Sequence, residues 1–267
     1  MSVYATAAKP LTIGGRIGWA IRDSWSITRR DLIRTARQPE MMTFSVVMGV
    51  FFLLLFNYVF GGVIGAGAGV DYVQYLVPGV FVITTLTGAQ QTGTGLAVDL
   101  TEGVINRFRS LPMSQVAVIA GRTIADGLRN IVAVLLVAAV GYLLGFRFAS
   151  LGGAVGAVAI AVGMGFAFSW LNGAIAAKVR NAEMVGMLSM FWLFPLMLAS
   201  TAFAPTDSMP IWLQGFVKYQ PISVASDAAR ALSNGTPVGD YVWQAMLWIA
   251  ILLAILVPLA IRFYRRP

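Results

Sequence analysis

Residues 241–263 read YVWQAMLWIAILLAILVPLAIRF, and Arg262 carries the only charge in this stretch. A helix needs about 20 mainly apolar residues to cross the roughly 30 Å hydrocarbon core of a bilayer, so the stretch predicts a transmembrane helix. Five earlier stretches are similar in length and composition. The sequence therefore predicts an all-α integral membrane protein with six transmembrane helices, at residues 41–64, 72–98, 123–146, 151–177, 184–204 and 241–263.

The composition of the whole chain agrees with a membrane protein. Of its 267 residues, 58% are hydrophobic and 11% are charged, whereas a soluble domain is typically about 25% charged. The chain has no Cys and no His. This excludes disulfides, thiolate or imidazole metal ligands, and nucleophilic catalysis by Cys or His. The sequence predicts neither a catalytic site nor a metal site.

The basic residues predict how the chain is oriented. The net charge is +8, and the Lys and Arg residues lie at the N-terminus and between the apolar stretches. This distribution is typical of the positive-inside rule rather than of nucleic-acid binding. With a cytoplasmic N-terminus, sixteen of the 19 Lys and Arg residues lie inside and only Arg147, Lys218 and Arg230 outside. Both termini are therefore predicted to be cytoplasmic. The excess of Arg over Lys, with abundant Ala, Gly and Val, points to a GC-rich bacterial source. The predicted location is therefore the bacterial cytoplasmic (inner) membrane.

The predicted domain organisation has three parts: a cytoplasmic segment at 1–40, a transmembrane domain at 41–263 and a short cytoplasmic tail at 264–267. The first part contains an amphipathic helix, in which Trp25 lies on the apolar face and Arg29 and Arg30 on the basic face. A helix of this kind lies in the membrane interface and contacts anionic lipid head groups. A solvated basic segment is the alternative.

Residues 205–240, before the last apolar stretch, contain four prolines and the short apolar stretch 211–216. Each piece is too short to span a bilayer. Short helices lying in the outer leaflet or re-entering it are predicted here, with a plain extracellular loop as the alternative.

Polar side chains concentrate on the second predicted span. Thr84, Thr87 and Gln91 share one face of it, at positions i, i+3 and i+7. Such a face either lines a substrate path or forms hydrogen bonds between helices. In the fifth span Phe191 and Trp192, with the nearby Phe194 and Pro195, either flank a lipid-like substrate or pack against lipid.

The stretch between the second and third spans, residues 99–114, reads DLTEGVINRFRSLPMS. It predicts a short helix on the membrane surface that ends before Pro112, because proline interrupts a helix. The guanidinium groups of Arg107 and Arg109 suit carboxylates on a partner. These residues alone leave two interpretations open, a docking element for another protein and an ordinary connector.

The pattern Glu102-Gly103, Arg107-x-Arg109 and Ser110-Leu111-Pro112 resembles the cytoplasmic loop of ABC type-2 exporter permeases, particularly the daunorubicin-resistance permeases. Residues 209–214, which read MPIWLQ, and residues 220–222, which read QPI, resemble the family's outer segment. The resemblance covers nearly the whole chain. It departs from the family pattern at Asn106, where many members carry an acidic residue.

The resemblance implies an export permease that forms half of a membrane domain, as a homodimer or with a related permease. Two separate ATP-binding subunits would dock on its cytoplasmic face, and ATP and magnesium would bind there rather than to this chain. The loop helix would be the coupling helix, which contains Glu102, Gly103, Arg107, Arg109 and Pro112. The substrate would be hydrophobic or amphipathic: a drug, a polyketide or a lipid-like molecule.

The lysines are consistent with a separate ATPase. The chain has only Lys9, Lys178 and Lys218, and none of them lies in the G-x-x-x-x-G-K-[ST] pattern that holds phosphates. An ion-coupled transporter or channel is the alternative function. The predicted spans carry no charge near their middle, which disfavours it. A membrane-embedded enzyme or assembly factor is a third candidate, and the absence of His and Cys disfavours it.

Overall fold

The computed structural model describes residues 40–62, 71–101 and 115–265 of the chain. Within these ranges every regular element is helical. A π-helical turn (Phe56–Phe60) continues the first helix, and a 3₁₀ turn (Thr206–Ser208) precedes the sixth. The α-helices are α1 (Glu40–Leu55), α2 (Tyr72–Thr101), α3 (Gln115–Leu143), α4 (Leu151–Val179), α5 (Ala182–Leu198), α6 (Ile211–Tyr219), α7 (Pro221–Asn234) and α8 (Tyr241–Arg265).

Four of these helices are long and apolar enough to cross a membrane. They are α2, α4 and α8, together with the Ile124–Leu143 part of α3. The fifth predicted span, in α5, is shorter. Its 17 residues rise about 25 Å, against a hydrocarbon core of about 30 Å. The first predicted span is also short, since its apolar helix covers Phe44–Phe60. The all-helical membrane fold is confirmed, with four helices of spanning length in the described part of the chain.

The fifth predicted span, residues 184–204, extends beyond the helix that the structure shows. The helix α5 ends at Leu198. The side-chain amide of Gln220 donates hydrogen bonds to the carbonyl groups of Leu196 (3.0 Å) and Ala199, close to this end. Because the last carbonyls of a helix have no partner within it, such a donor stabilises the end of the helix. The remaining apolar residues of the stretch belong to the connection that follows.

The connection contains two short helices, α6 and α7, as the sequence predicts. They differ in environment, since Ile211 and Trp212 on α6 are exposed, whereas α7 packs against α2 and α4. The indole nitrogen of Trp248 on α8 donates a hydrogen bond to the carbonyl of Tyr219 at the end of α6 (3.0 Å). The α6–α7 pair is thereby attached to the long helices.

Helix α2 lies at the centre of the bundle. It packs most extensively against α4 and also contacts α1, α3, α5 and α7. Two glycines allow part of this close packing. A Cβ atom added to Gly93 would lie 2.8 Å from the Cβ atom of Asn172 on α4, and one added to Gly79 would overlap the carbonyl oxygen of Ala202. The backbones could not approach this closely with larger residues at either position.

The substitution Gly79→Ala is expected to destabilise the protein by about 1–3 kcal/mol, the usual cost of overpacking a close contact. The new methyl group would overlap a backbone carbonyl, which cannot move aside as a flexible side chain can. Thermal unfolding of the purified protein in detergent measures the effect. Gly127→Ala on α3 is the matched control, because its Cβ atom would have no neighbour within 4 Å. Equal unfolding temperatures for the two variants would contradict the prediction.

The threonine hydroxyls of α2 are satisfied mainly within the helix. Thr84 donates to the carbonyl of Val80 (2.8 Å), and Thr87 donates to that of Ile83 (2.9 Å). Thr85 differs, because its hydroxyl also lies 2.8 Å from the carbonyl of Ala161 on α4. The polar face of α2 therefore contains few unpaired hydroxyls despite its burial.

Helices α2 and α3 share a buried polar contact. The carboxylate of Asp126, which is 2% exposed, accepts hydrogen bonds from the Thr92 hydroxyl on α2 and from the Arg129 guanidinium on α3. The side chain of Asn130 also reaches the carbonyl of Thr85 (3.4 Å). The bonds from Thr92 to Asp126 and from Asn130 to Thr85 link the two helices on either side of the loop at residues 102–114.

Candidate functional site

A cleft of about 480 Å³ lies between α1, α2 and α5. Apolar side chains from α1 and α5 form its walls, and polar side chains from α2 form its floor. Its lining residues are Phe44, Met48, Phe52, Thr87, Gln90, Gln91, Thr94, Met190, Leu193, Phe194 and Met197. An apolar pocket with a few convergent polar groups is the usual form of a small-molecule site.

The floor of the cleft is one face of α2. Its four residues, Thr87, Gln90, Gln91 and Thr94, lie at positions i, i+3, i+4 and i+7, which a helix places on the same side. The Gln90 side-chain nitrogen donates to the carbonyl of Gly186 on α5 (3.2 Å). The floor is thus polar and uncharged, and it is attached directly to one wall.

One buried polar atom of a floor residue lacks a partner. The side-chain oxygen of Gln91 is buried and has no hydrogen-bond partner in the structure. A buried polar atom without a partner costs free energy, roughly 1–3 kcal/mol. With its apolar walls and its polar, uncharged floor, the cleft suits an amphipathic molecule.

Aromatic rings lie beyond one end of the cleft. Phe56, in the π-helical turn after α1, stacks on Phe203 with ring centroids 4.1 Å apart and an interplanar angle of 10°. Phe52, a wall residue, lies 5.7 Å from the same ring. Phe203 follows α5, so the α1 and α5 walls meet here.

The structure places the five predicted path residues in different surroundings. Thr87 and Gln91 line the cleft. Thr84 is buried against α1. Its hydroxyl lies so close to Gly49 of that helix that a Cβ atom added to this glycine would overlap it. Phe191 is 81% exposed, and Trp192 stacks on Phe168 of α4 with ring centroids 5.0 Å apart. Neither of these two residues lines the cleft, and their role in transport stays a prediction.

Sequence reasoning missed most of the apolar walls. The α1 wall and the methionines of α5 were not singled out, although Phe194 was. A periodic pattern does not separate an apolar side chain that faces a cleft from one that faces lipid. Methionine is the one available signal, because its flexible thioether adapts to ligands of varied shape. Three methionines, Met48, Met190 and Met197, line the cleft.

A second, polar cleft of about 690 Å³ lies beside α6 and α7. Its central feature is the pair formed by Arg230 and Asp227, whose side chains are 13% and 20% exposed. Arg230 also donates to the carbonyls of Tyr75 (2.9 Å) and Thr201 (2.8 Å), and its guanidinium lies 3.6 Å from the centre of the Tyr75 ring. The arginine thus connects α7 with α2 and with the segment after α5.

Asp227 lies on α7, outside the spanning helices. Burial raises the pKa of its carboxyl group above the usual range, and the nearby Arg230 and the hydroxyl of Thr201 partly oppose that rise. The carboxylate therefore depends on Arg230 to remain charged.

Two sets of predicted site residues lie outside the described ranges. The first set is the loop helix, with Glu102, Gly103, Arg107, Arg109 and Pro112. The second is the interfacial helix, with Trp25, Arg29 and Arg30. Both sets stay predictions from the sequence. Among the described residues, no group of three acidic side chains is placed to hold a metal ion.

Comparison with known proteins decides the family. The model of the family described as "ABC-2 type transporter" matches residues 22–233. The chain belongs to the ABC-2 type transporter family. The resemblance seen in the loop and outer-segment motifs is thereby confirmed, and the protein is a multi-pass membrane protein of this family.

Several known permease proteins match the chain over most of their length. The daunorubicin resistance ABC transporter permease protein DrrB1 of Streptomyces coeruleorubidus is 36% identical over 96% of this chain and 91% of its own. The probable doxorubicin resistance permease protein DrrC of Mycobacterium tuberculosis is 27% identical over 89% of this chain and 87% of its own. A putative transport permease, ycf38, of Porphyra purpurea is 23% identical over 81% of this chain and 75% of its own.

Proposed function

We propose that this chain is the membrane-spanning subunit of an ATP-driven exporter, which moves a hydrophobic or amphipathic molecule out across a bacterial cytoplasmic membrane. The observation that carries the proposal is the cleft between α1, α2 and α5, in a chain that belongs to the ABC-2 family. Two of the similar proteins are named as daunorubicin and doxorubicin resistance permeases, which supports a drug, a polyketide or a lipid-like molecule as the substrate.

The chemistry of the cleft supports this class of substrate. Its walls are aromatic side chains, leucine and methionine, and its floor carries only uncharged polar groups. An apolar molecule would gain roughly 25 cal/mol for each Å² of apolar surface that leaves water. The polar floor would favour a molecule that also carries hydrogen-bonding groups. Thr87 and Gln91 are the proposed substrate contacts on α2.

The proposed topology has six crossings, with both termini in the cytoplasm. Helices α1 and α5 are the two shorter crossings. The basic residues support this orientation, since sixteen of the 19 fall on the cytoplasmic side. In the same arrangement, α6 and α7 lie at the outer face, as short helices that enter the outer leaflet.

The proposed partners are two ABC ATP-binding subunits and a second permease, either another copy of this chain or a related one. The helix at residues 102–112 would dock on the ATPase. ATP and magnesium would bind there, and this chain would hydrolyse no ATP itself. The direct links between α2 and α3, the helices that flank the docking loop, give a physical route from the ATPase to the cleft.

Filling the cleft tests the proposal. Met190→Trp would place a large ring into the cleft from a half-exposed position on α5. ATP-driven efflux of a fluorescent anthracycline, by the permease reconstituted with its ATPase, is expected to fall at least about tenfold, which corresponds to about 1.4 kcal/mol of lost binding.

Met187→Trp is the matched control. Met187 lies on the same helix and is 63% exposed, and it does not line the cleft. Efflux should remain near the wild-type rate in this variant. Equal loss in both variants would contradict the assignment of the cleft. Efflux driven by an ion gradient without the ATPase would instead support the ion-coupled alternative.

A further inference from the structure

A second apolar groove lies on another side of the bundle from the cleft. It follows α4 between α3 and α8, has a volume of about 610 Å³, and all of its lining side chains are apolar. Small residues on α4, including Ala154, Ala159 and Gly163, form part of the lining. Leu135 on α3 and Val155 on α4 are more than half exposed and mark its rim. In a bilayer this face is open to lipid.

The length of the groove suits an acyl chain. From Leu151 to Phe166, α4 rises about 22 Å. This length exceeds the roughly 15 Å of hydrocarbon in one leaflet, so one acyl chain fits along the groove over its whole length.

A positive charge lies near the Leu151 end of the groove. Arg147 lines a neighbouring pocket, which shares the residue Phe148 with this end of the groove. The Nη1 atom of Arg147 donates to the carbonyls of Tyr142 (2.6 Å) and Phe146 (2.7 Å). The guanidinium lies 3.6 Å from the centre of the Tyr142 ring. These contacts fix the guanidinium, and its Nε and Nη2 atoms have no partner among the described residues. Tyrosine and arginine together are typical of the membrane–water interface.

We propose that this groove is a binding site for one phospholipid, with an acyl chain lying along α4 and the phosphate at Arg147. Arginine suits this ligand because its planar donors match a phosphate group. The positive charge at one end and the apolar groove along α4 are complementary to an anionic, chain-bearing phosphodiester. The lipid would complete the surface between α3, α4 and α8, at a site distinct from the α1–α2–α5 cleft.

Native mass spectrometry of the delipidated full-length protein tests this site. Dioleoyl phosphatidylglycerol is the probe, and dioleoylglycerol, which lacks the phosphate, is the comparison ligand. The wild-type protein should retain one phosphatidylglycerol per chain. Ala159→Phe, which fills the groove from an exposed position, should lower the retained fraction at least tenfold. Arg147→Gln should lower phosphatidylglycerol retention to the level of dioleoylglycerol.

Ala254→Phe is the matched control, because Ala254 is exposed on α8 and does not line the groove. Val155→Trp is a second filling variant, should Ala159→Phe fail to fold. If a folded groove-filling variant retains as much phosphatidylglycerol as Ala254→Phe does, the proposal is overturned. Loss of a second protein chain, with lipid retention unchanged, would identify the groove as a protein interface instead. If the wild-type protein and Arg147→Gln retain equal amounts of phosphatidylglycerol, Arg147 does not bind the phosphate and the proposal is wrong on this point.

Discussion

The substitution Arg107→Glu is expected to reduce ATP-driven transport about thirtyfold or more, while the protein still inserts into the membrane. Arg107 lies in the loop motif that predicts the coupling helix. Loss of one member of a buried charge pair at an interface typically costs about 2–5 kcal/mol, and 2 kcal/mol corresponds to about a thirtyfold loss of affinity. Reversal of the charge would also add repulsion from the acidic group that we propose on the ATP-binding subunit.

The affinity between the reconstituted permease and its ATP-binding subunit measures this effect directly, together with substrate-stimulated ATP hydrolysis. Arg262→Glu on α8 is the control, because Arg262 is exposed and lies on the same predicted side of the membrane. Glu102→Ala should also weaken docking, by less than the charge reversal. Undisturbed complex formation and transport in both loop variants would remove the coupling-helix assignment.

The substitution Arg230→Ala is expected to destabilise the protein by about 3–5 kcal/mol. This is the usual cost when one partner of a buried ion pair is removed and the other is left unpaired. Here the loss also removes the hydrogen bonds to the carbonyls of Tyr75 and Thr201, which attach α7 to the rest of the bundle. Chemical unfolding in detergent, followed by tryptophan fluorescence, measures the change.

Two further variants separate the ion pair from a general effect of charge. Lys218→Ala removes an exposed cation near α7 and should change stability by less than about 0.5 kcal/mol. The double variant Asp227→Ala/Arg230→Ala should lose less than the sum of the two single losses, because it leaves no unpaired charge. A loss in Arg230→Ala no greater than in Lys218→Ala would contradict the structural role of the pair.

The long helices of the fold were predictable because their signal is local. An apolar stretch of about 20 residues identifies a spanning helix without any knowledge of its neighbours. The end of α5 was not predictable in this way. The amide of Gln220 contacts the carbonyls near that end from 21 and 24 residues away. Contacts of this kind depend on the assembled fold and leave no local pattern.

Only part of the candidate site could be predicted, because only part of it leaves a local signal in the sequence. Polar residues on an apolar helix stand out, so the floor residues Thr87 and Gln91 were found from their spacing. Phe44 and Met48 on the α1 wall do not stand out among apolar neighbours. For Trp192 the sequence leaves two alternatives, a place beside the substrate and packing against lipid, and in the structure its ring stacks on Phe168. Aromatic character alone does not distinguish a packed ring from a binding one.

The internal hydrogen bonds of α2 bear on how the protein is made. The hydroxyls of Thr84 and Thr87 bond to carbonyls one turn earlier in the same helix, so they need no neighbouring helix to be satisfied in lipid. The bonds of α2 to other helices, such as those from Thr92 to Asp126, from Thr85 to Ala161 and from Gln90 to Gly186, involve segments that leave the ribosome later. We therefore expect helix α2 to insert into the membrane during synthesis with these hydroxyls already bonded, before α4 and α5 pack against it.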